Sequence, residues 1–438
     1  MPLALLTDLY ELNMAAAYLR QGMTGVATFS LFVRELPASR GFLVAAGLED
    51  ALSYLERLAF EDGDLEYLAG IGFSEESLDA FAKLRFEGEV WAVPEGTVVL
   101  AGEPLLEVSA PLPVAQLVET YLLNTFTIQT ALATKAARCR LAAGERISLV
   151  DFSLRRTQGM DAGLAVARLS AMCGFVGTSN VEAARRFGLT PSGTMAHSYV
   201  VAFEDELEAF VSFGRSHPGR VTFLVDTYDP KSGIDHAIEA IRRLGLERRA
   251  GVRIDSGDLG ALAREARRRL DEAGLPLVQI FVSGGLDERD LRRFVEEGAP
   301  IDAAGVGTKL GVVADAPYLD TVYKLVEYAG RPVAKLSEGK ETLPGSKQVF
   351  RAAGLLDVIG CRDEVAAPGQ VALLEPVMRE GRRTRSGDDL GALRERVEAG
   401  LASLPEGVRD LDRPVAAVPG TSERLRRLTR EVWDAART

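Results

Sequence analysis

Hydrophobic and polar positions change rhythm twice along this chain. In the first third, period-two alternation is mixed with helical spacing. Thr7 or Asp8 caps a helix with apolar positions at Leu12, Ala15, Ala16 and Leu19. Val26–Val33 alternates as a strand, and 47–57 and 75–83 carry helical spacing. Strands over 88–108 are broken by Pro94, Gly96, Gly102 and Pro104, which predicts a small sheet or half-barrel. Pro111 and Pro113 precede a long apolar helix over 114–141.

The middle third repeats one unit: a short apolar run, a polar turn, then a helical pattern. The runs are 147–152, 174–176, 221–225, 252–254, 278–282 and 303–306. Helical patterns follow at 163–172, 182–187, 204–213, 234–244, 259–270 and 288–297. Strands that are apolar on both faces belong to a parallel sheet covered on both sides. The number of units predicts a closed, barrel-like β/α arrangement. The last third loses this rhythm. Residues 332–351 are turn-rich and basic, 371–379 read as a strand, and 388–401 and 422–438 as helices. The expected organisation is therefore 1–135 as the N-terminal part of an α/β sandwich, 136–335 as a β/α catalytic barrel, and 336–438 packing back on the sandwich.

Composition narrows the function. The 438 residues are 47% hydrophobic and 26% charged, as in a water-soluble globular protein. A net charge of −12 argues against a nucleic-acid groove, so an anionic substrate needs local arginines. Cys139, Cys173 and Cys361 form no CxxC pair, so neither a zinc knuckle nor a disulfide frame is indicated. The opening MPLALLTDLYELNMAAAYL has no basic region and no run reaches membrane-spanning length. A cytoplasmic location, without membrane or nucleic-acid partners, is expected.

Chemistry in a β/α barrel collects where strands end. Asp151, Ser153, Arg155, Arg156, Thr157 and Gly159 follow the first run, and Thr178, Ser179 and Asn180 the second. Then come Thr194 and His197, Asp226, Thr227 and Asp229, and Arg253, Asp255, Ser256, Gly257 and Asp258. Ser283, Gly284 and Gly285 precede a helix start, and Gly305, Gly307, Thr308 and Lys309 form the last cluster. Glycines bare backbone N–H groups to a phosphate, though they also make tight turns. Arg155, Arg156 and Arg253 can clamp a carboxylate or phosphate, or pair with Asp151, Asp255 or Asp258. Asp226, Asp255 and Asp258 can meet Mg²⁺ through water, or cap helices. His197, one of three histidines, stands among Gly193, Thr194 and Ser198 and can take a proton, a metal or a phosphoryl group. Periodicity alone makes Tyr10 a core aromatic.

Seven segments, in order between positions 7 and 348, resemble nicotinate phosphoribosyltransferases. They are Thr7-Asp8-Leu9-Tyr10-Glu11, Phe152-Ser153-Leu154-Arg155-Arg156-Thr157-Gln158-Gly159, Gly193-Thr194-Met195-Ala196-His197-Ser198 and Arg253-Ile254-Asp255-Ser256-Gly257-Asp258. Ser283-Gly284-Gly285-Leu286-Asp287, Gly305-Val306-Gly307-Thr308 and Pro344-Gly345-Ser346-Lys347-Gln348 complete the set. The resemblance implies an irregular β/α barrel of the type II phosphoribosyltransferase kind plus an open α/β sandwich. It implies a homodimer with shared active sites, the first helix reaching the partner's site.

The implied reaction joins nicotinate to 5-phosphoribosyl 1-pyrophosphate, giving nicotinate mononucleotide and pyrophosphate in salvage to NAD. ATP hydrolysis is coupled through a phosphohistidine, which maps to His197, and the enzyme is classified among ligases. Tyr10, Thr194 and Arg253 map to nicotinate positions, and Arg155 is a further substrate contact. Thr308 maps to a phosphoribosyl-pyrophosphate contact, with Ser283, Gly284, Gly285 and Gly307 in the same loops. Asp255 would stabilise an oxocarbenium-like ribosyl centre, and Mg²⁺ and backbone N–H groups the leaving pyrophosphate. No metal ligand is assigned; Asp226 and Asp258 are candidates through water. Some relatives carry a C-terminal cysteine cluster; Cys361 stands alone here, so no structural zinc is expected.

Two neighbouring chemistries fit less well. Nicotinamide has no carboxylate for Arg253, and quinolinate has two, needing a denser cationic cluster. A sugar-phosphate lyase or aldolase would want a strand-end lysine for a Schiff base, and only Lys309 lies near these loops. A metabolite sensor without turnover would not need so many ionisable strand-end groups.

Overall fold

A computed structural model describes residues 3–217, 219–337 and 339–437. The chain divides into two compact units, one of residues 1–134 and 318–438, the other of 135–317.

The second unit is a six-stranded, wholly parallel sheet. Its strands are β1 (Ser148–Asp151), β2 (Gly177–Thr178), β3 (Val221–Leu224), β4 (Ala250–Ile254), β5 (Gln279–Val282) and β6 (Ala303–Val306). They pair in the order β2-β1-β6-β5-β4-β3. This is the cyclic order of a β/α barrel with one seam left open, between β2 and β3. The expected irregular β/α barrel is thus present, in the form of a curled half-barrel sheet. At the seam, Thr178 of β2 bridges Pro191, and the chain runs on towards Thr194 and His197. β2 itself lies at 177–178 rather than 174–176, because Gly174 takes φ +87 and Phe175 is still hydrogen-bonded to Ser170 of the preceding helix.

The strands are apolar because both faces are covered. Phe223, Val252, Ile254, Ile280, Val282, Ala304 and Val306 are all fully buried. The helices over them are amphipathic: Pro230–Leu244 buries Ile234, Ala237, Ile238 and Ile241, and Leu259–Glu272 buries Ala263, Ala266 and Leu270. Each buried Val, Leu, Ile or Phe side chain among them contributes roughly 1.5–3 kcal/mol. Register sets the functional ends level. Asp151 is opposite both Thr178 and Val306, Ile254 is opposite Val282, and Arg253 is opposite Leu224 and Phe281.

The first unit is built on a seven-stranded antiparallel sheet. Its centre is Val26–Val33, flanked by Thr321–Tyr328 and Pro104–Pro111; Glu89–Ala92 and Glu375–Arg379 follow. Residues 318–335 therefore lie with this unit, since Thr321–Tyr328 pairs along the whole of Val26–Val33. A second sheet carries the hairpin Lys347–Ala352 and Leu356–Cys361. Buried charge joins the two sheets: Glu107 pairs with Lys347 at 3.1 Å and with Arg362.

Helices of this unit include Leu9–Arg20, Leu48–Arg57, Asp62–Gly70, Glu75–Lys83 and Leu390–Ala402. The long helix expected over 114–141 is broken at Val118 into Leu112–Leu117 and Glu119–Ala143. The last helix is Glu423–Arg437; Thr438, included in the expected 422–438 helix, lies outside the described residues.

Candidate active site

The C-terminal ends of β4 and β5 and the segment before the His197 helix converge on Arg253. Its Nε donates to Ser283 Oγ at 2.8 Å, and its Nη1 to Thr194 Oγ1 at 3.0 Å and to the Met195 carbonyl at 3.4 Å. Its Nη2 donates to Asp255 Oδ1 at 2.7 Å. The guanidinium also lies 5.5 Å from the centre of the Phe152 ring, within cation–π range. Four expected site residues, Thr194, Arg253, Asp255 and Ser283, are thus one hydrogen-bonded group drawn from three loops. A planar, multiply tethered guanidinium is pre-oriented, and little rotamer freedom is lost on receiving an anion.

Asp255 is the hub. Besides Arg253 it accepts a short hydrogen bond from the Ser283 hydroxyl, and its Oδ2 lies 3.9 Å from His197 Nε2. Burial pushes its carboxyl up, but the Ser283 and Arg253 bonds and the His197 ring outweigh that and hold it below the usual carboxylate range. It is therefore an anion at neutral pH. Its backbone N–H donates to Asp226 Oδ2 at 2.9 Å, and the Ser256 hydroxyl donates to the same oxygen at 2.6 Å. The other Asp226 oxygen is buried without a hydrogen-bond partner among the described residues.

His197 opens the short helix His197–Val201 rather than ending a strand. Its Nδ1 lies 3.2 Å from Thr227 Oγ1, on the loop after β3. The ring is half exposed. The other histidines are held elsewhere: His236 Nδ1 is 2.8 Å from Glu206, and His217 Nδ1 is 2.9 Å from the Phe213 carbonyl.

The two glycine loops have different local causes. Gly284 has φ +110, and a Cβ there would sit 2.1 Å from the Asp255 carbonyl oxygen, so only glycine lets the β5 loop cross the β4 loop so closely. Gly305 faces Phe152, whose ring would be 2.6 Å from an added Cβ. Thr308 starts the short helix Thr308–Gly311 behind Gly307. Lys309 Nζ reaches back to Asp287 at 2.7 Å and Asp290 at 3.5 Å, tying one glycine loop to the other. The helix Glu288–Glu296 does begin after Leu286, but Asp287 caps it by accepting from the Arg289 and Asp290 backbone N–H groups. Those first-turn donors are thus already engaged.

Asp258 is exposed and caps Leu259–Glu272, accepting from Ala261 N at 3.1 Å. Its helix-capping alternative is the one observed. Asp151 is buried, accepting from Ser153 N at 2.9 Å and Thr178 Oγ1 at 2.7 Å, and burial raises its pKa. Arg155 is exposed on the turn Leu154–Arg156 and is not among the residues that bond Arg253 or Asp255. Tyr10 belongs to the first unit, 47% exposed on Leu9–Arg20, so it is not the core aromatic that periodicity suggests. Its hydroxyl donates to Glu11 Oε1 at 3.3 Å.

Sequence reasoning left three residues of the second unit without a role: Thr227, the partner of His197, and Lys135 and Glu288, which pair with each other. Thr227 was readable as a strand-end hydroxyl. Lys135 and Glu288 lie 153 residues apart, and no local pattern joins them. Among the described residues, no group of three or more His, Cys, Asp or Glu is arranged to hold a metal ion. No helix of the described residues is long and apolar enough to cross a membrane.

A parallel sheet whose strand ends carry a tethered arginine, an anionic aspartate, a histidine and two glycine loops defines an α/β enzyme for small anionic substrates. Comparison with known proteins makes the class definite. Residues 5–127 match the nicotinate phosphoribosyltransferase N-terminal domain, and residues 147–352 match the nicotinate phosphoribosyltransferase family. A nicotinate phosphoribosyltransferase of Mycobacterium tuberculosis is 47% identical over 417 residues, covering 93% of this chain and 89% of the relative. The Bacillus subtilis enzyme of that name is 43% identical over 359 residues, covering 80% and 73%. The crystal structure of human nicotinic acid phosphoribosyltransferase superposes with a TM-score of 0.87 at 31% identity, covering 98% of this chain and all of that one. The chain belongs to the nicotinate phosphoribosyltransferase family.

Proposed function

We propose that this enzyme transfers the phosphoribosyl group of 5-phosphoribosyl 1-pyrophosphate to nicotinate, in salvage to NAD, with ATP hydrolysis coupled through a phosphohistidine at His197. The observation that carries this reading is Arg253, held by Thr194, Asp255 and Ser283 at the strand ends. Nicotinate has a flat carboxylate, and a fixed guanidinium edge beside the Thr194 hydroxyl is its natural receptor. Tyr10 and Arg155 are the further substrate contacts that the family pattern implies.

In the transfer, the pyridine nitrogen bonds the ribosyl C1 as the C1–O bond to pyrophosphate breaks, and the electron pair leaves with pyrophosphate. Positive charge gathers at the ribosyl centre, where the ionised Asp255 stabilises it. The leaving group's charge falls to backbone N–H groups at Gly284, Gly285 and Gly307, and to Thr308, since the Ser283 proton is already given to Asp255. Mg²⁺ fits the oxygen donors here: Asp226 has a buried carboxylate oxygen without a partner, whereas Asp258 is spent on its helix. Bound there, the ion would neutralise pyrophosphate charge.

With Nδ1–H donating to Thr227, the lone pair of His197 falls on Nε2, beside Asp255. Nε2 attacks the γ-phosphorus of ATP, the P–O bond to ADP breaks, and a P–N bond forms. Water later takes the phosphoryl group as phosphate and returns the imidazole. The added charge of about −2 next to the glycine loops would then shift the site between substrate binding and product release. We assign the enzyme to the cytoplasm and to a homodimer. Its three cysteines form no disulfide among the described residues, as in a reducing compartment, and Leu6, Leu9 and Tyr10 are exposed on and before the first helix. Incubation with γ-labelled ATP tests the histidine: acid-labile label is expected on the enzyme and none on His197→Ala. Full ATP stimulation in His197→Ala contradicts this part of the reading.

A further inference from the structure

Beneath the two glycine loops lies a buried charge cluster that substrate cannot touch. Its centre is Lys135, with a side chain only 1% exposed, in the helix Glu119–Ala143. Lys135 Nζ makes a short bond to Glu288 Oε2 and a 2.8 Å bond to Asp315 Oδ1. Arg138, one turn on, donates from Nε to Glu288 Oε1 at 3.0 Å. Glu288 directly follows the loop 283–287. Asp315 follows the loop 305–309, and the turn before it is tied back by Ala314 N to the Lys309 carbonyl at 3.0 Å. One ammonium therefore joins the segments that end both glycine loops.

We propose that Lys135 is a positioning residue that sets the spacing of the two phosphate loops. It holds the first loop through Glu288 and the second through Asp315. The inference rests on the assignment of these loops to phosphoribosyl pyrophosphate. A lysine suits the task because its three rotatable donors reach carboxylates that lie in different directions. A carboxylate buried as Glu288 is needs its cations close, so the first loop cannot drift without separating that charge from them. Lys309 also crosses between these loops but is partly exposed, whereas the Lys135 side chain and its partner Glu288 are buried. Loops so tied offer their N–H groups at a fixed separation, with no ordering left to be done when pyrophosphate arrives.

The test uses steady-state kinetics of the full-length enzyme with Lys135→Gln, Lys135→Arg and Asp315→Asn. Asp315 is partly exposed, so Asp315→Asn keeps the fold while cutting the tie to the second loop. Lys135→Gln and Asp315→Asn are expected to raise the KM for phosphoribosyl pyrophosphate about tenfold. The KM for nicotinate and kcat should stay within about twofold, the signature of lost ground-state binding. Lys135→Arg should recover most of the loss. Thr308→Val separates this inference from the reading beneath it. If Thr308→Val leaves the KM for phosphoribosyl pyrophosphate unchanged, the loop assignment falls and the proposal falls with it. If Thr308→Val raises that KM and folded Asp315→Asn does not, the loops bind phosphate and the role given to Lys135 alone is overturned.

Discussion

Arg253 Nη2 and Asp255 Oδ1 stand 2.7 Å apart, two residues along one strand end. The pair is neither a surface ion pair nor a sealed one, with side chains 12% and 27% exposed. It holds the guanidinium flat and aimed. It also helps keep Asp255 ionised, as its proposed role at the ribosyl centre requires.

Arg253→Gln should therefore lose more than a substrate contact. A charge-assisted bond to a carboxylate contributes about 2–3 kcal/mol, so the KM for nicotinate should rise roughly a hundredfold. The KM for phosphoribosyl pyrophosphate should change much less. Initial rates with each substrate varied in turn measure the difference.

Thr227 is expected to matter through His197 alone. Thr227→Val removes the hydroxyl 3.2 Å from Nδ1 that fixes the imidazole's tautomer in the proposed mechanism. ATP hydrolysed per nicotinate mononucleotide formed should fall about tenfold, while the ATP-independent rate stays close to that of the parent enzyme. Parallel assays of phosphate and pyrophosphate release read both quantities.

Neighbouring glycines should respond unequally. Gly285 has φ +67 with nothing within 4 Å of an added Cβ, so Gly285→Ala should cost only about 1 kcal/mol of backbone strain. At Gly284 the added Cβ would meet the Asp255 carbonyl at 2.1 Å, and the β4 and β5 loops must part. Gly284→Ala should lose nearly all activity, with a melting temperature well below that of Gly285→Ala. Thermal unfolding and turnover of the two variants make the comparison.

Glu11 gives the first unit a pH dependence. It is fully buried on the N-terminal helix, accepting from Thr120 N at 3.0 Å, Thr120 Oγ1 at 2.9 Å and Thr7 Oγ1. Burial pushes its carboxyl up to about 7 against those bonds, with Glu119 adding to the rise. Because the folded value lies above the unfolded one, the stabilisation is complete below about pH 4.5 and is lost as pH rises through about 7. The loss amounts to roughly 3 kcal/mol. Urea unfolding at pH 5 and pH 8 should show this decline, and Glu11→Gln should remove most of it.

Much of the second unit was legible because its strands are short apolar runs that end in polar turns. Helix starts after Asp258 and Asp287 follow from capping side chains close in sequence, whereas the helix read as 234–244 begins earlier, at Pro230 behind its cap Asp229. What escaped the reading depends on distant partners or on weak local signals. The helix Asp62–Gly70 begins Asp-Gly-Asp and carries few apolar residues. The strand Lys347–Ala352 fell in a stretch, 332–351, that reads as turn-rich and basic; Lys347 is satisfied by Glu107, 240 residues away, and Arg351 pairs with Asp357 across the hairpin. The site was legible as a set of strand-end types, and its wiring was not: no spacing rule could say that Arg253 binds Thr194 rather than Asp258.

The most direct measurement is pyrophosphate release from phosphoribosyl pyrophosphate with Mg²⁺, offering nicotinate, nicotinamide or quinolinate in turn, with and without ATP. The account predicts turnover with nicotinate alone, raised by ATP, and abolished for nicotinate by Arg253→Gln at substrate levels near the parent KM. Equal turnover with nicotinamide, or none with nicotinate, would contradict it.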